Sequence, residues 1–146
     1  MKSISSKRIL AKKSDGGYVV DPSRRKALKA GPEERVRQST ITFLREEIGV
    51  PLGLISVEKG LNMASAQYRA DIVVHDRNGK PWMIIECKAP HVNLTQATFD
   101  QVSRYNLVVG ARFLLITNGN ENFCCETDVQ QNKLSYLDRF PIYPDL

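Results

Sequence analysis

Two apolar runs joined by an asparagine-glycine pair leave the middle of this chain few ways to fold. "YRADIVVHD" (Tyr68–Asp76) and "PWMIIECK" (Pro81–Lys88) are rich in β-branched and aromatic residues, as half-buried strands are. Between them stands "RNGK", and Asn-Gly is the strongest short hairpin signal because both residues accept positive φ. If Asn78 and Gly79 form the loop, Arg77 faces Lys80. Counting outward, Val73 then faces Ile84 and Asp71 faces Glu86.

That register gathers charge at one end of the hairpin. Directly opposed side chains have Cβ atoms roughly 4.5–5.5 Å apart, and two carboxylates so placed destabilise a sheet unless something neutralises them. Strand alternation puts Glu86 and Lys88 on one face, which Asp71 shares across the ladder. An acid-x-Lys triplet in a basic chain is weak evidence by itself, because Lys88 can simply offset one acid as an ion pair. At the end of a buried strand, across a turn from a matching acid, the set points instead to a divalent cation. Paired oxygen ligands suit Mg²⁺, with water and a substrate phosphate completing its shell.

The rest of the chain frames that hairpin. With 146 residues, 42% hydrophobic and 25% charged, it is expected to form one compact soluble domain. Residues 1–30 read as a basic hairpin or arm, in which residues 7–12 and "YVVD" flank the turn "SDGG"; residues 31–146 form the globular remainder. "GPEERVRQSTITFLREEIG" carries helix punctuation: Pro32 in the first turn, Glu33 and Glu34 at the positive end of the dipole, Gly49 and Pro51 at the stop. "LISVEKGL" (Leu54–Leu61) and "RFLLITNG" (Arg112–Gly119) read as strands, and "NFCCETD" as a strand returning beside the latter. "LTQATFDQVSRYNLVVG" (Leu94–Gly110) reads as an amphipathic helix ending at glycine. Helix, three strands, helix, strand, with a small peripheral hairpin at each end, gives helices on a mixed sheet: an α/β or α+β fold.

Both helices carry further candidates. Val36, Thr40, Phe43 and Leu44 mark the inner face of the first. Glu33 lies one turn before Val36 on that face and could reach a metal or hold its water, whereas Glu34 points away; the plainer role of both is to complement the dipole. In the second helix Gln101 and Tyr105, four apart, share a face. They could bind a phosphate, with Arg104 beside them, or be a surface amide next to a partly buried tyrosine.

The net charge is +5, and eleven of the 21 lysines and arginines fall within the first 37 residues. A basic surface suits a phosphate backbone, since counterion release drives that association, and it also serves solubility. The three cysteines, Cys87, Cys124 and Cys125, have neither disulfide-framework nor zinc spacing and read as small buried side chains. No apolar run approaches the ~20 residues of a membrane helix, and "MKSISSKRILAKKSDGG" lacks a signal-peptide core. A cytoplasmic protein with no membrane association is expected.

"RADIVV", followed after the hairpin by "IIECKAP", resembles the D…(D/E)xK signature of the PD-(D/E)xK nuclease superfamily. "GPEERVRQ" before it, with "DQVSRYN" and "LLITNG" after, resembles the N-terminal nuclease domain of type I restriction enzyme R subunits, over Gly31 to Gly119. The resemblance implies a restriction-endonuclease-like αβββαβ core and Mg²⁺-dependent hydrolysis of DNA phosphodiesters, with Mn²⁺ able to substitute. It implies Asp71 and Glu86 as metal ligands, with the Cys87 main-chain carbonyl a further one. Lys88 would position the attacking water and stabilise charge on the phosphate. Gln101 and Tyr105 match a QxxxY element that helps place the substrate backbone, and Glu33 matches a first-helix acid. Ala70 stands where a proline usually precedes the first acid.

R subunits are ATP-driven translocases, and no G-x-x-x-x-G-K-[ST] loop occurs here. The chain is therefore expected to be a DNA endonuclease without the motor, free-standing or working with a restriction or defence partner. Dimerisation is one route to a duplex break. A catalytically silent DNA-binding or accessory module that keeps the fold is the alternative. A generic domain with a structural ion-pair cluster is a third reading, but it leaves the opposition of Asp71 and Glu86 unexplained.

Overall fold

The predicted order of elements forms. The computed structural model describes residues 4, 9, 18–21, 26–29, 31–57, 70–128, 130–131 and 133–144. Within them run β1 (Tyr18–Asp21), β2 (Lys26–Lys29), α1 (Pro32–Phe43), β3 (Ile55–Val57), β4 (Ile72–His75), β5 (Pro81–Cys87), α2 (Gln96–Val109), β6 (Phe113–Thr117), β7 (Asn122–Asp128) and β8 (Lys133–Tyr136). Strands β3 to β8 lie side by side in chain order, antiparallel except for β5 and β6. A parallel pair needs a crossover, and α2 is that crossover. From α1 to β6 the order is αβββαβ. This is the mixed-sheet, restriction-endonuclease-like architecture expected from the sequence.

The central hairpin reaches the predicted register by another route. Its loop holds three residues, Arg77, Asn78 and Gly79: the Gly79 N–H donates to the Asp76 carbonyl at 3.0 Å, and the Asp76 N–H to the Lys80 carbonyl at 2.8 Å. Gly79 has φ 81°, the left-handed closing residue of such a loop. The Asp76 carboxylate reinforces it, accepting from the Asn78 and Lys80 N–H groups at 2.9 and 3.0 Å. The longer loop shifts the pairing by one residue, to His75 against Pro81. A bulge then shifts it back, so that Val74 pairs with Met83, Val73 with Ile84 and Ile72 with Ile85. Trp82 is the extra residue, and Trp82 and Met83 consequently enter the same core cluster although adjacent in sequence.

Each sheet face is covered by one helix. α1 starts at Pro32, with the Arg35 N–H on the Gly31 carbonyl at 3.0 Å. Its Val36, Ile41 and Phe43 pack with Ile72, Val74, Met83, Ile85 and Cys87. The helix then widens into one π-helical turn, Leu44–Ile48, and stops at Gly49, whose φ is 86°. α2 is capped by the Thr95 hydroxyl and ends at Gly110. It buries Phe99, Val102 and Tyr105 with Val73, Ile84, Leu114 and Ile116 on the opposite face. Asn106 secures its exit through two bonds with Ala111, at 2.9 and 2.8 Å.

Two peripheral features differ from expectation. "YVVD" pairs with Lys26–Lys29 in a separate two-stranded ribbon. Of its expected partner, residues 7–12, only Ile9 is among the described residues. At the other end, β7 returns beside β6 as expected, but with β8 it extends the main sheet and does not form a peripheral hairpin. Of the predicted strand Leu54–Leu61, Ile55–Val57 forms, and 58–61 lie outside the described residues. No helix among the described residues is long and apolar enough to cross a membrane.

Candidate active site

The β4–β5 ladder ends at Ile72 and Ile85. One step further the register sets Asp71 toward Glu86, and there the chain bends out of the strand. Asp71 turns its carboxylate to the neighbouring strand instead, where Oδ2 accepts from the Cys87 main-chain N–H at 2.7 Å. A side chain thus takes the place of a ladder acceptor. In an extended strand a residue's N–H and C=O lie on the same edge, so the Cys87 carbonyl opens toward Asp71 too. Lys88 points the other way along the main chain, its N–H bonded to the Thr117 carbonyl at 2.8 Å. The Cys87 thiol is fully buried against α1, 3.8 Å from the Thr40 hydroxyl, and burial pushes its pKa well up. Of Cys87, only the carbonyl is available as a ligand.

Glu86 and Lys88 share a face, as alternation requires. Lys88 Nζ stands 3.4 Å from Glu86 Oε1, with the lysine side chain 32% exposed and the glutamate 17%. Burial, and then the Asp71 charge, push the Glu86 carboxyl from its ordinary 4.5 to about 8, against the pull of Lys88. Burial likewise raises Asp71; the Cys87 N–H, Arg37 and Lys88 oppose the rise, and Glu33 adds to it. Two half-buried carboxyls are therefore close enough to act on each other, with less positive charge nearby than both need.

The first turns of α1 overhang this end of the sheet. A cleft of about 250 Å³ is lined by Glu33, Glu34, Arg37 and Asp71. Glu33 is exposed, and its charge is felt at Asp71 and Glu86. Glu34 does not point away, as the helical wheel suggests: it is the less exposed of the two and lies in the same cleft. It is ion-paired with Arg37 and accepts from Gln38 Nε2 at 3.0 Å.

Among the described residues, no group of three or more His, Cys, Asp or Glu side chains forms a metal cage. Glu33 is thus an acid at longer range and not a third ligand gathered with the other two. The available donors are the carboxylates of Asp71 and Glu86 and the carbonyl of Cys87. All are hard oxygens, and Mg²⁺ is commonly held by one or two carboxylates plus waters and phosphate. A divalent cation would also relieve the like-charge burial that lifts Glu86, so the residues present fit such a group.

The family model for the type I restriction enzyme R protein N terminus matches residues 32–141. The chain belongs to that family. A solved fragment of a chain described as an HsdR subunit of a type I restriction enzyme from Vibrio vulnificus YJ016 is similar at 25% identity and TM-score 0.42. The alignment covers 60% of this chain and 19% of that one. A search of curated proteins finds no match.

In this R-protein N-terminal domain the second helix divides the remaining pair. Gln101 is exposed, while Tyr105 is 3% exposed within the α2 core, where burial raises its pKa. Both stand on the sheet face that carries Ile84 and Glu86. Two contributors escaped sequence reasoning. Arg37, 4% exposed, lines the cleft beside Asp71, although an arginine amid a helix ordinarily marks a solvated face. Asn118 closes the β6–β7 turn through the N–H groups of Asn120 and Glu121. It also donates to the Val92 carbonyl at 3.0 Å, pinning the loop that follows Lys88. The polar run "TNGNEN" behind a buried strand was its only signal.

Proposed function

We propose that this domain is a Mg²⁺-dependent DNA endonuclease of the PD-(D/E)xK type, with Mn²⁺ able to substitute. It would hydrolyse phosphodiesters in the cytoplasm as part of a type I restriction or related defence complex. The observation that carries the reading is the pair of half-buried acids at the open end of β4 and β5, with Lys88 3.4 Å from Glu86. An isolated structural ion pair needs one acid for one lysine, and here two acids converge.

Asp71, Glu86 and the Cys87 carbonyl would hold the cation, which when bound supplies Lewis acidity and lowers the pKa of a coordinated water. Asp71 is kept in its rotamer by the Cys87 N–H. Burial and the Asp71 charge push Glu86 toward its protonated form in the metal-free chain, and a cation bound there would favour the carboxylate. Lys88 reaches solvent with its ammonium and stabilises negative charge on the phosphate as the attacking oxygen approaches. Gln101, exposed on α2, would contact the backbone of the DNA, while buried Tyr105 supports the helix from beneath. Strand translocation would come from elsewhere in the assembly.

A plasmid-nicking assay tests the proposal. Wild type should cut with Mg²⁺ or Mn²⁺ and not with chelator, and Asp71→Ala, Glu86→Ala and Lys88→Ala should each lose at least ~100-fold, the scale expected of a removed electrostatic stabiliser. A wild type that binds DNA with steep salt dependence yet never cuts would establish the accessory-module reading instead.

A further inference from the structure

The four-residue cleft under α1 contains an arginine that the reaction above does not use. Arg37 is 4% exposed. Its guanidinium is ion-paired with Glu34, which Gln38 holds from the other side. Asp71 completes the same wall. A guanidinium taken out of water is costly unless it is paired, and here it is paired beside the proposed cation site.

We propose that Arg37 is a positioning residue for the cation site: by binding Glu34 it withdraws that carboxylate and sets the net charge that the cleft presents to a divalent metal. The inference rests on the nuclease reading. Glu34 lines the cleft beside Asp71, where its carboxylate could compete for the ion. The Arg37 fork occupies Glu34 and leaves Asp71, Glu86 and the longer-range charge of Glu33 to act on the metal. Arg37 does not touch the reacting atoms. Its effect passes through Glu34 and through its own positive charge beside Asp71. An ungoverned Glu34 would add a fourth negative group, gripping the metal harder and repelling the incoming phosphate.

A charge cycle read by Mn²⁺ calorimetry on the DNA-free chain tests this, with nicking as a second readout. Arg37→Met removes one positive charge and should tighten Mn²⁺ binding roughly tenfold while lowering the nicking rate. Glu34→Gln leaves the guanidinium without that partner and should loosen Mn²⁺ by a similar factor. The double variant Glu34→Gln with Arg37→Met removes the pair together and should return affinity to within about threefold of wild type. Arg37→Lys keeps the charge and should stay near wild type in affinity. A general folding defect would loosen Mn²⁺ in all four, and that outcome overturns the proposal, as does unchanged affinity in Arg37→Met. A wild type that binds no Mn²⁺ overturns the nuclease reading and this inference with it.

Discussion

At Glu86, burial and a neighbouring acid both act against the charge that the side chain would carry in water. Its carboxyl is held near 8 in the folded chain against an ordinary 4.5, so the folded state keeps a proton that the unfolded state sheds. Below 4.5 both states are neutral and the site carries no penalty. Between about 4.5 and 8 stability falls as pH rises, and above 8 the cost is constant. Metal-free Glu86→Gln should therefore melt above wild type at pH 8.5, with the gap closing toward pH 5; a gap that ignores pH would contradict the assignment. Magnesium should reverse the trend, raising the melting temperature of wild type but not of Asp71→Ala, with proton release on binding measurable across buffers of different ionisation enthalpy. Although the ladder ends at Ile72 and Ile85 and does not pair Asp71 with Glu86, their place at the same end of the hairpin was legible from alternation and a hairpin count. The burial of Arg37 was not, because helical periodicity assigns a face but not what overhangs it.

At the scale of elements, the hairpin register was legible for a reason that the turn itself does not supply. The Asn-Gly pair suggested a two-residue loop, and the chain instead makes a three-residue loop followed by a bulge at Trp82, two shifts of opposite sense. Apolar patterning decides between registers: Ile72, Val74, Met83 and Ile85 pack under α1, Val73 and Ile84 under α2, and a net slip of one residue would exchange one strand's two sets. Gly79→Ala should cost about 1 kcal/mol in denaturant unfolding, since φ is positive there. Asn106→Ala should cost about 1–3 kcal/mol, because it strips two partners from Ala111 at the buried exit of α2. The π-helical turn at Leu44–Ile48 was invisible in "LREEIG", which reads equally well as plain helix. The pairing of β1 with β2 was missed because the turn residues "SDGG" outweighed a short strand, Lys26–Lys29, that lacks a periodic signature.

At the scale of the whole molecule, the candidate catalytic groups among the described residues gather at one end of the β4–β5 hairpin. A chain with one such centre breaks one strand per encounter, so nicked circles should build up before linear plasmid. The linear product should rise with more than the first power of protein concentration if two copies must meet. First-order accumulation of linear DNA at high dilution would show that one chain severs both strands. DNA affinity should also fall steeply between 50 and 200 mM salt, roughly 10³-fold or more if six or more phosphates are neutralised. The charge excess was plain in the sequence; the path that DNA takes over the surface was not, because many of the early lysines and arginines belong to segments outside the described residues.

The hydrogen bond from Cys87 to the Asp71 carboxylate couples a main-chain amide to whatever that carboxylate holds. An amide whose acceptor is a freshly ligated oxygen changes its shielding and its protection from solvent. The Cys87 proton thus works as a built-in reporter, able to register arrival of a cation in a magnetic-resonance titration before any nucleic acid is added.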